Sequence, residues 1–240
     1  MSYIYKCYHV TITNIIYYFQ LILTNLKFIN LHDSEITSFP NVSGIPNLER
    51  LNLSRCDRLV DVDQSVLLHE RIIHLKLSQC SSLEILPTFI EMKSLETLNL
   101  NGCHILKRFP EISREMGRLS VLCLDGCNMI KALPSSIRLL TSLIFLRLQH
   151  NGYEDDKLEQ GFERIPRVFT DLTCLRILDL DHNNLVEDDF PSNLHDPWPF
   201  LEELNLSDNI FTRLPATISH LSRLKYLNLS YCNNLEELYE

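Results

Sequence analysis

Eight cysteines stand in this chain of 240 residues. Thiolates are nucleophiles and metal ligands, so their spacing decides what chemistry they could do. Cys56, Cys80, Cys103 and Cys127 follow one another at a nearly constant interval, with Cys232 far downstream. Structural zinc sites bring ligands close in sequence, and no C-x-x-C pair is present. His150 and His182 could offer two imidazoles, but a metal would need a third ligand, for which Asp181 is the one neighbour of the right type. No nucleophile, base and orienting group converge, and the phosphate-cradling G-x-x-x-x-G-K-[ST] is absent. Neither catalysis, cofactor nor metal is expected; the cysteines call for a structural reason.

That reason lies in a repeated phrase. "LKFINLHDS", "LERLNLSRC", "IIHLKLSQC", "LETLNLNGC", "LSVLCLDGC", "LIFLRLQHN", "LRILDLDHN", "LEELNLSDN" and "LKYLNLSYC" begin at residues 26, 48, 72, 95, 119, 143, 175, 201 and 224. Positions 4 and 6 are always Leu or Ile, with polar residues usual at 5 and 7, which is the period-two pattern of a half-buried strand. A short strand returning at this period is the leucine-rich repeat. Each unit cannot bury its leucines alone, so stacking must bury them. Seven units then carry an apolar–Pro pair, from Phe39-Pro40 to Leu214-Pro215. After the proline the apolar spacing becomes three, as in Pro134, Ile137, Leu140 and Leu143, which suits a 3₁₀ turn. The expected fold is therefore α/β: a curved leucine-rich-repeat solenoid. Its concave side is a parallel sheet of about nine short strands. Its convex side is made of loops, 3₁₀ turns and short helices. Residues 26–240 form this domain, and 1–25 an irregular N-terminal segment.

The cysteines fall on position 9, where the strand turns outward. Cys56, Cys80, Cys103, Cys127 and Cys232 share it with Asn151, Asn183, Asn209 and Ser34. A small inward side chain there can serve backbone groups that lose their sheet partners. On this reading Cys and Asn are interchangeable ladder residues. Parallel side chains on successive rungs approach wrongly for disulfides, so a reducing compartment is favoured. Cys123, at position 5, is expected to be exposed.

The working surface follows from the same alternation. Positions 3, 5, 7 and 8 should point out of the concave sheet. The position 5 row is mostly Asn, and its departures are Lys76, Cys123, Arg147 and Asp179. Around them stand Phe145, Gln149, Ile177 and Asp181, with Tyr226 and Tyr231 further on. Exposed Phe and Ile on a polar face are candidate contacts. The sixth unit carries extra residues within "GYEDDKLEQGFERIP", and Glu154, Asp155 and Asp156 join the candidates as a loop overhanging the face.

Charge narrows the partner. The acidic excess behind the net charge of −9 lies in 141–240, while 1–140 is close to neutral. That distribution opposes nucleic acid and admits a basic protein patch. The N-terminal segment, 1–25, has neither the uninterrupted apolar run of a membrane span nor a small-residue cleavage site. "IIYYFQ" reads like a translated T-rich intron end, so residues 1 to 20 are expected to be mis-annotated non-coding sequence.

"LKFINLHDSEITSFPNVSGIPNLERLNLSRCDRLVDVDQSV", "MKSLETLNLNGC" and "ALPSSI" resemble the repeat domain of plant TIR–nucleotide-binding–leucine-rich-repeat disease-resistance receptors. The resemblance spans 26–240 and implies a cytoplasmic or nuclear immune receptor. Its repeats would bind a pathogen effector, a host target or the receptor's other domains, and regulate activation. Membrane and nucleic-acid partners are not expected, and no oligomeric state is assigned. The chain reads as a fragment or truncated form, since the phosphate loop and the TIR portion are missing. A general intracellular repeat scaffold is the alternative. So is an extracellular receptor fragment, for which Asn41-Val-Ser is a formal glycosylation site.

Overall fold

The computed structural model describes residues 23–149, 169, 171–190, 198–214 and 216–236. Thirteen short strands run in chain order: β1 (Phe28–Asn30), β2 (Ser38–Phe39), β3 (Arg50–Asn52), β4 (Asp61–Val62), β5 (His74–Lys76), β6 (Phe89–Ile90), β7 (Thr97–Asn99), β8 (Glu111–Ile112), β9 (Val121–Cys123), β10 (Phe145–Arg147), β11 (Ile177–Asp179), β12 (Glu203–Asn205) and β13 (Tyr226–Asn228). Nine of them form one parallel sheet in the order β1-β3-β5-β7-β9-β10-β11-β12-β13. Each of these nine holds positions 3 to 5 of its repeat.

Register follows from the leucines. Leu51, Leu75, Leu98, Leu122, Leu146, Leu178 and Leu204 face one another rung by rung and are buried. A slip of one residue would turn every one of them to solvent. Burying each such side chain contributes about 2 kcal/mol, and only neighbouring rungs supply the cover. In the last rung Leu224, Leu227 and Leu229 are half-exposed.

Position 8 turns the chain out of the sheet in a left-handed conformation. Asp33, Arg55, Gln79, His182, Asp208 and Tyr231 have φ between 53° and 62°, and Gly102 and Gly126 have φ of 74° and 66°. This bend aims the position 8 N–H at the next rung. Asp33, Arg55, Gln79, Gly102, Gly126, His182 and Asp208 each donate to the position 7 carbonyl there at 2.6–3.0 Å. The sheet ladder thus runs beyond the three-residue strands.

The convex side differs from the expected loops and turns in its first units. There β2 pairs with β4 and β6 with β8, both parallel. Only β2 of these four ends on a residue before a proline, Pro40, which favours extended backbone there; β6 and β8 start just after Pro87 and Pro110, and β4 has no proline. A single helical turn, α1 (Gln64–Leu67), is capped by Asp63, whose carboxylate accepts from Ser65 N–H. The 3₁₀ turns appear at Ser135–Leu139, Glu187–Asp189 and Ala216–His220.

Candidate binding face

The structure puts position 9 side chains where the sheet runs out of donors. Seven of the described ones reach back to the position 6 carbonyl of the preceding rung, while Ser34 Oγ, on the first rung, lies 3.3 Å from Cys56 Sγ. Cys56 Sγ donates to Leu31 O, Cys80 to Leu53 O, Cys103 to Leu77 O, Cys127 to Leu100 O and Cys232 to Leu206 O, at 3.1–3.2 Å. Asn183 Nδ2 does the same to Leu148 O at 2.8 Å and Asn209 Nδ2 to Leu180 O at 3.0 Å. Burial pushes the thiols of Cys80 and Cys127 up to about 12, and raises those of Cys56 and Cys103 as well. They are neutral hydrogen-bond donors at physiological pH, not nucleophiles. Asn151 lies outside the described residues.

Cys and Asn are not equivalent in this ladder, contrary to the reading from sequence. In the cysteine units the backbone closes its own turn: Cys103 N–H donates to Leu100 O at 3.1 Å and Leu106 N–H to Cys103 O at 3.1 Å. In the asparagine units the side chain does this work. Asn209 Nδ2 bonds Leu206 O and Ser207 O, while its Oδ1 accepts from Asn183 N–H at 3.1 Å and Leu185 N–H at 3.0 Å. The next core residue moves accordingly. It lies three residues after the ladder Cys (Leu59, Leu83, Leu106, Ile130) and two after the ladder Asn (Leu185, Phe211).

On the concave side, the recurrent asparagine of position 5 also has a function that composition hides. Oδ1 of Asn30, Asn52, Asn99, Asn205 and Asn228 accepts the position 7 N–H of its own unit at 3.0–3.1 Å, and Asp179 does likewise at 3.3 Å. These Asx turns hold the strand exit. Cys123 and Arg147 cannot make the bond. Their units borrow instead from the neighbour's position 7: Asp125 N–H donates to Asn101 Oδ1 and Gln149 N–H to Asp125 Oδ1, both at 3.1 Å.

That substitution frees the centre of the face for a charged network. Arg147 Nε lies 3.1 Å from Asp179 Oδ2 and 3.3 Å from Asp125 Oδ2, and its Nη2 donates to Gln149 Oε1 at 3.1 Å. Gln149 Nε2 donates to Asp181 Oδ2 at 2.6 Å, and Ser207 Oγ to Asp181 Oδ1 at 2.7 Å. Asn205 Nδ2 donates to Asp179 Oδ1 at 2.9 Å. Burial raises the Asp125 carboxyl above its ordinary range, against the pull of Arg147. Beside this network Val121, Phe145 and Ile177 occupy position 3 of three adjacent strands and pair in register.

Arg147, Gln149, Asp179 and Asp181 are thus brought together, with Phe145 and Ile177 alongside. Two expectations need correction. Phe145 and Ile177 are half-buried, not exposed, because Val121, Phe145 and Ile177 lie side by side and cover one another. Cys123 is buried rather than exposed, for its short side chain sits between the longer Asn99 and Arg147 of the flanking strands. Lys76 is exposed but stands on β5, three strands from Arg147. Tyr226 and Tyr231 are exposed near the last rung, outside the network. His182 Nδ1 meets Asp208 Oδ2 at 2.5 Å instead of joining Asp181. Among the described residues no group of three His, Cys, Asp or Glu could hold a metal ion. His150, Glu154, Asp155 and Asp156 lie outside the described residues.

Sequence reasoning missed Asp125, Asn205 and Ser207. Their signal was available: each is the cross-strand neighbour of a residue already singled out, one rung away at position 5 or 7.

Comparison with known proteins gives a consistent picture. The leucine-rich-repeat family model matches residues 94–116 and 174–196, and a two-copy leucine-rich-repeat model matches 199–240. TMV resistance protein N of Nicotiana glutinosa is 29% identical over 89% of this chain and 20% of its own length. Protein SUPPRESSOR OF npr1-1, CONSTITUTIVE 1 of Arabidopsis thaliana is 32% identical over 92% of this chain and 14% of its own length. Disease resistance protein RPP4 of Arabidopsis thaliana is 41% identical over 38% of this chain and 8% of its own length. The chain therefore spans a fifth or less of the length of these three relatives. Among solved structures, the functional domain of InlJ from Listeria monocytogenes, which includes a cysteine ladder, matches with a TM-score of 0.62. It is 21% identical, over 90% of this chain and 42% of that one. This likeness is one of fold.

Proposed function

Since the chain is a leucine-rich-repeat array of the kind carried by plant TIR–nucleotide-binding–leucine-rich-repeat disease-resistance proteins, we propose that it is the protein-recognition module of an immune receptor. The module acts in the cytoplasm or nucleus, binds a pathogen effector or a host protein, and regulates receptor activation. The fold itself is a protein-interaction scaffold.

The observation that carries this reading is the centre of the concave face. Away from this centre, position 5 of the sheet is Asn except for Lys76, and position 3 is Arg50, His74, Thr97 or Glu203 except at the two end strands, which carry Phe28 and Tyr226. At the centre three adjacent strands carry Val121, Phe145 and Ile177 at position 3, and two give up the Asx turn for Cys123 and Arg147. Giving up such turns costs stability unless neighbours compensate, and the neighbours do. Residues that weaken a local rule and are supported from outside are the usual mark of a functional surface.

The test is capture of effector and host proteins from infected plant tissue. The baits are the wild-type chain, Phe145→Ser/Ile177→Ser, and the convex Arg138→Ala. Partners kept by wild type and Arg138→Ala but lost by the double variant support the reading. Partners indifferent to the double variant, or lost with Arg138→Ala, refute it.

A further inference from the structure

The concave centre has a geometry that selects among partner shapes. Strands β9, β10, β11 and β12 present rows across the rungs. Position 3 carries the apolar Val121, Phe145 and Ile177, ending in the exposed Glu203. Positions 5 and 7 carry Arg147 among Asp125, Asp179 and Asp181. Along the strand direction Asp179 lies about 7 Å from the apolar row, and Asp125 and Asp181, at position 7, lie up to about 13 Å from it; each row steps about 4.8 Å per rung.

A partner segment lying along the rows must match that step. An extended segment repeats a side chain on one face every ~6.7 Å, so over three rungs it slips by about 4 Å. A helix brings a side chain to the same face once per 5.4 Å turn, roughly, and slips by only about 1 Å over the same span. Its stripes at i, i+4, i+7 and the adjacent face lie side by side, as the two rows do. Charge fixes the second stripe. Four carboxylates (Asp125, Asp179, Asp181, Glu203) and one guanidinium, Arg147, which pairs with Asp125 and Asp179, leave this patch at net −3 with every group ionised.

Resting on the recognition reading above, we propose that this patch docks an amphipathic helix of the partner. The helix would lay an apolar stripe on Val121, Phe145 and Ile177 and an adjacent lysine- or arginine-bearing stripe along Asp125, Asp179 and Asp181. The apolar stripe supplies affinity through burial, and the charged stripe supplies orientation and association rate. Arg147 stays paired to its two carboxylates, so the incoming cations meet the unbalanced remainder.

The experiment uses a synthetic, side-chain-bridged helix of about 15 residues with Leu on one stripe and Lys on the next. Its binding to the full chain is followed by fluorescence anisotropy. The helix binds wild type. Phe145→Ser and, independently, Ile177→Ser weaken binding about tenfold through the off-rate. Glu203→Gln and Asp181→Asn slow association and flatten its salt dependence. A helix of the same composition in scrambled order binds at least about tenfold more weakly. Equal binding of the scrambled helix, or of one with Glu in place of Lys, overturns the proposal, as does no binding at all. Circular dichroism of each variant separates lost contact from lost folding, and Phe145→Leu, which keeps the side chain apolar, retains most of the affinity. If protein capture remains sensitive to the Phe145→Ser/Ile177→Ser pair while the helix fails, the helical occupant is wrong and recognition by this face stands. If capture is insensitive to the pair, recognition by this face is wrong.

Discussion

Exchanging the two ladder residues should expose how different their rungs are. Asn209 is buried, and its Oδ1 accepts from two buried amides, Asn183 N–H and Leu185 N–H. In Asn209→Cys the thiol can still donate to Leu180 O, as Cys232 does to Leu206 O. It cannot replace the acceptor. Two buried N–H groups are then stranded, at about 1–3 kcal/mol each by the usual desolvation penalty, so the expected loss is about 4 kcal/mol. The reverse exchange should cost less. Cys127→Asn keeps a donor for Leu100 O, but its Oδ1 finds Cys103 N–H and Leu106 N–H already committed to Leu100 O and Cys103 O. One orphaned acceptor predicts a loss of about 1–3 kcal/mol. Urea unfolding of the two variants gives the totals. Hydrogen exchange supplies the location: in Asn209→Cys the amides of Asn183 and Leu185 should lose protection before the rest of the sheet. Losses under about 1 kcal/mol for both exchanges would refute the reasoning, since the rungs would then accept either residue.

Two further outcomes follow from buried and bonded titrating groups. Hydrogen bonds from the Thr212 hydroxyl and from the Thr212 and Arg213 amides hold the Glu187 carboxyl down to about 2. A carboxylate depressed on folding contributes stability above its unfolded pKa near 4.3, roughly, and that contribution disappears as pH falls towards 2; urea midpoints across this window should fall more steeply for wild type than for Glu187→Gln, and parallel curves would contradict the bonding. Burial keeps the Cys80 and Cys127 thiols protonated, whereas Cys174 is exposed; iodoacetamide at about pH 8 should modify Cys174 in the folded chain and reach Cys80 and Cys127 only in urea, as read by peptide mass spectrometry, and equal labelling of all three in the folded chain would deny the burial of Cys80 and Cys127.

Much of this architecture could be read from one aligned phrase. Period two at positions 4 and 6 specified the strand, its buried face and, by repetition, the register of nine rungs. What escaped was whatever depends on a neighbouring rung. Asn at position 5 looked like filler because its partner, the position 7 amide, is a backbone group that no side-chain pattern records. Asp125 looked like an ordinary polar residue because its significance comes from Arg147 and Asp179, which are remote in sequence but stand on the next strand and the one after it. The shift of the core residue from three to two places after the ladder was visible in "CHIL" against "NNL", yet only the hydrogen bonds give it meaning. Cys123 was misjudged for a related reason: alternation states which face a side chain takes, not how far its taller neighbours shade it.

The left-handed bend at position 8 has a bearing on how this surface can vary. A positive φ is poorly tolerated by β-branched side chains, and the described occupants of that row are Asp33, Arg55, Gln79, Gly102, Gly126, His182, Asp208 and Tyr231. Not one is Val, Ile or Thr. Position 3, in extended backbone, has no such filter and holds Thr97, Val121 and Ile177 as readily as Arg50 or Glu203. The two rows flank the same concavity but draw on different alphabets. Mutation can explore shape and hydrophobicity along one rim of the face, while along the other it is confined to glycine and unbranched, mostly polar reach. A change of binding specificity in such a chain is therefore expected to begin at position 3 and to be trimmed, rather than founded, at position 8.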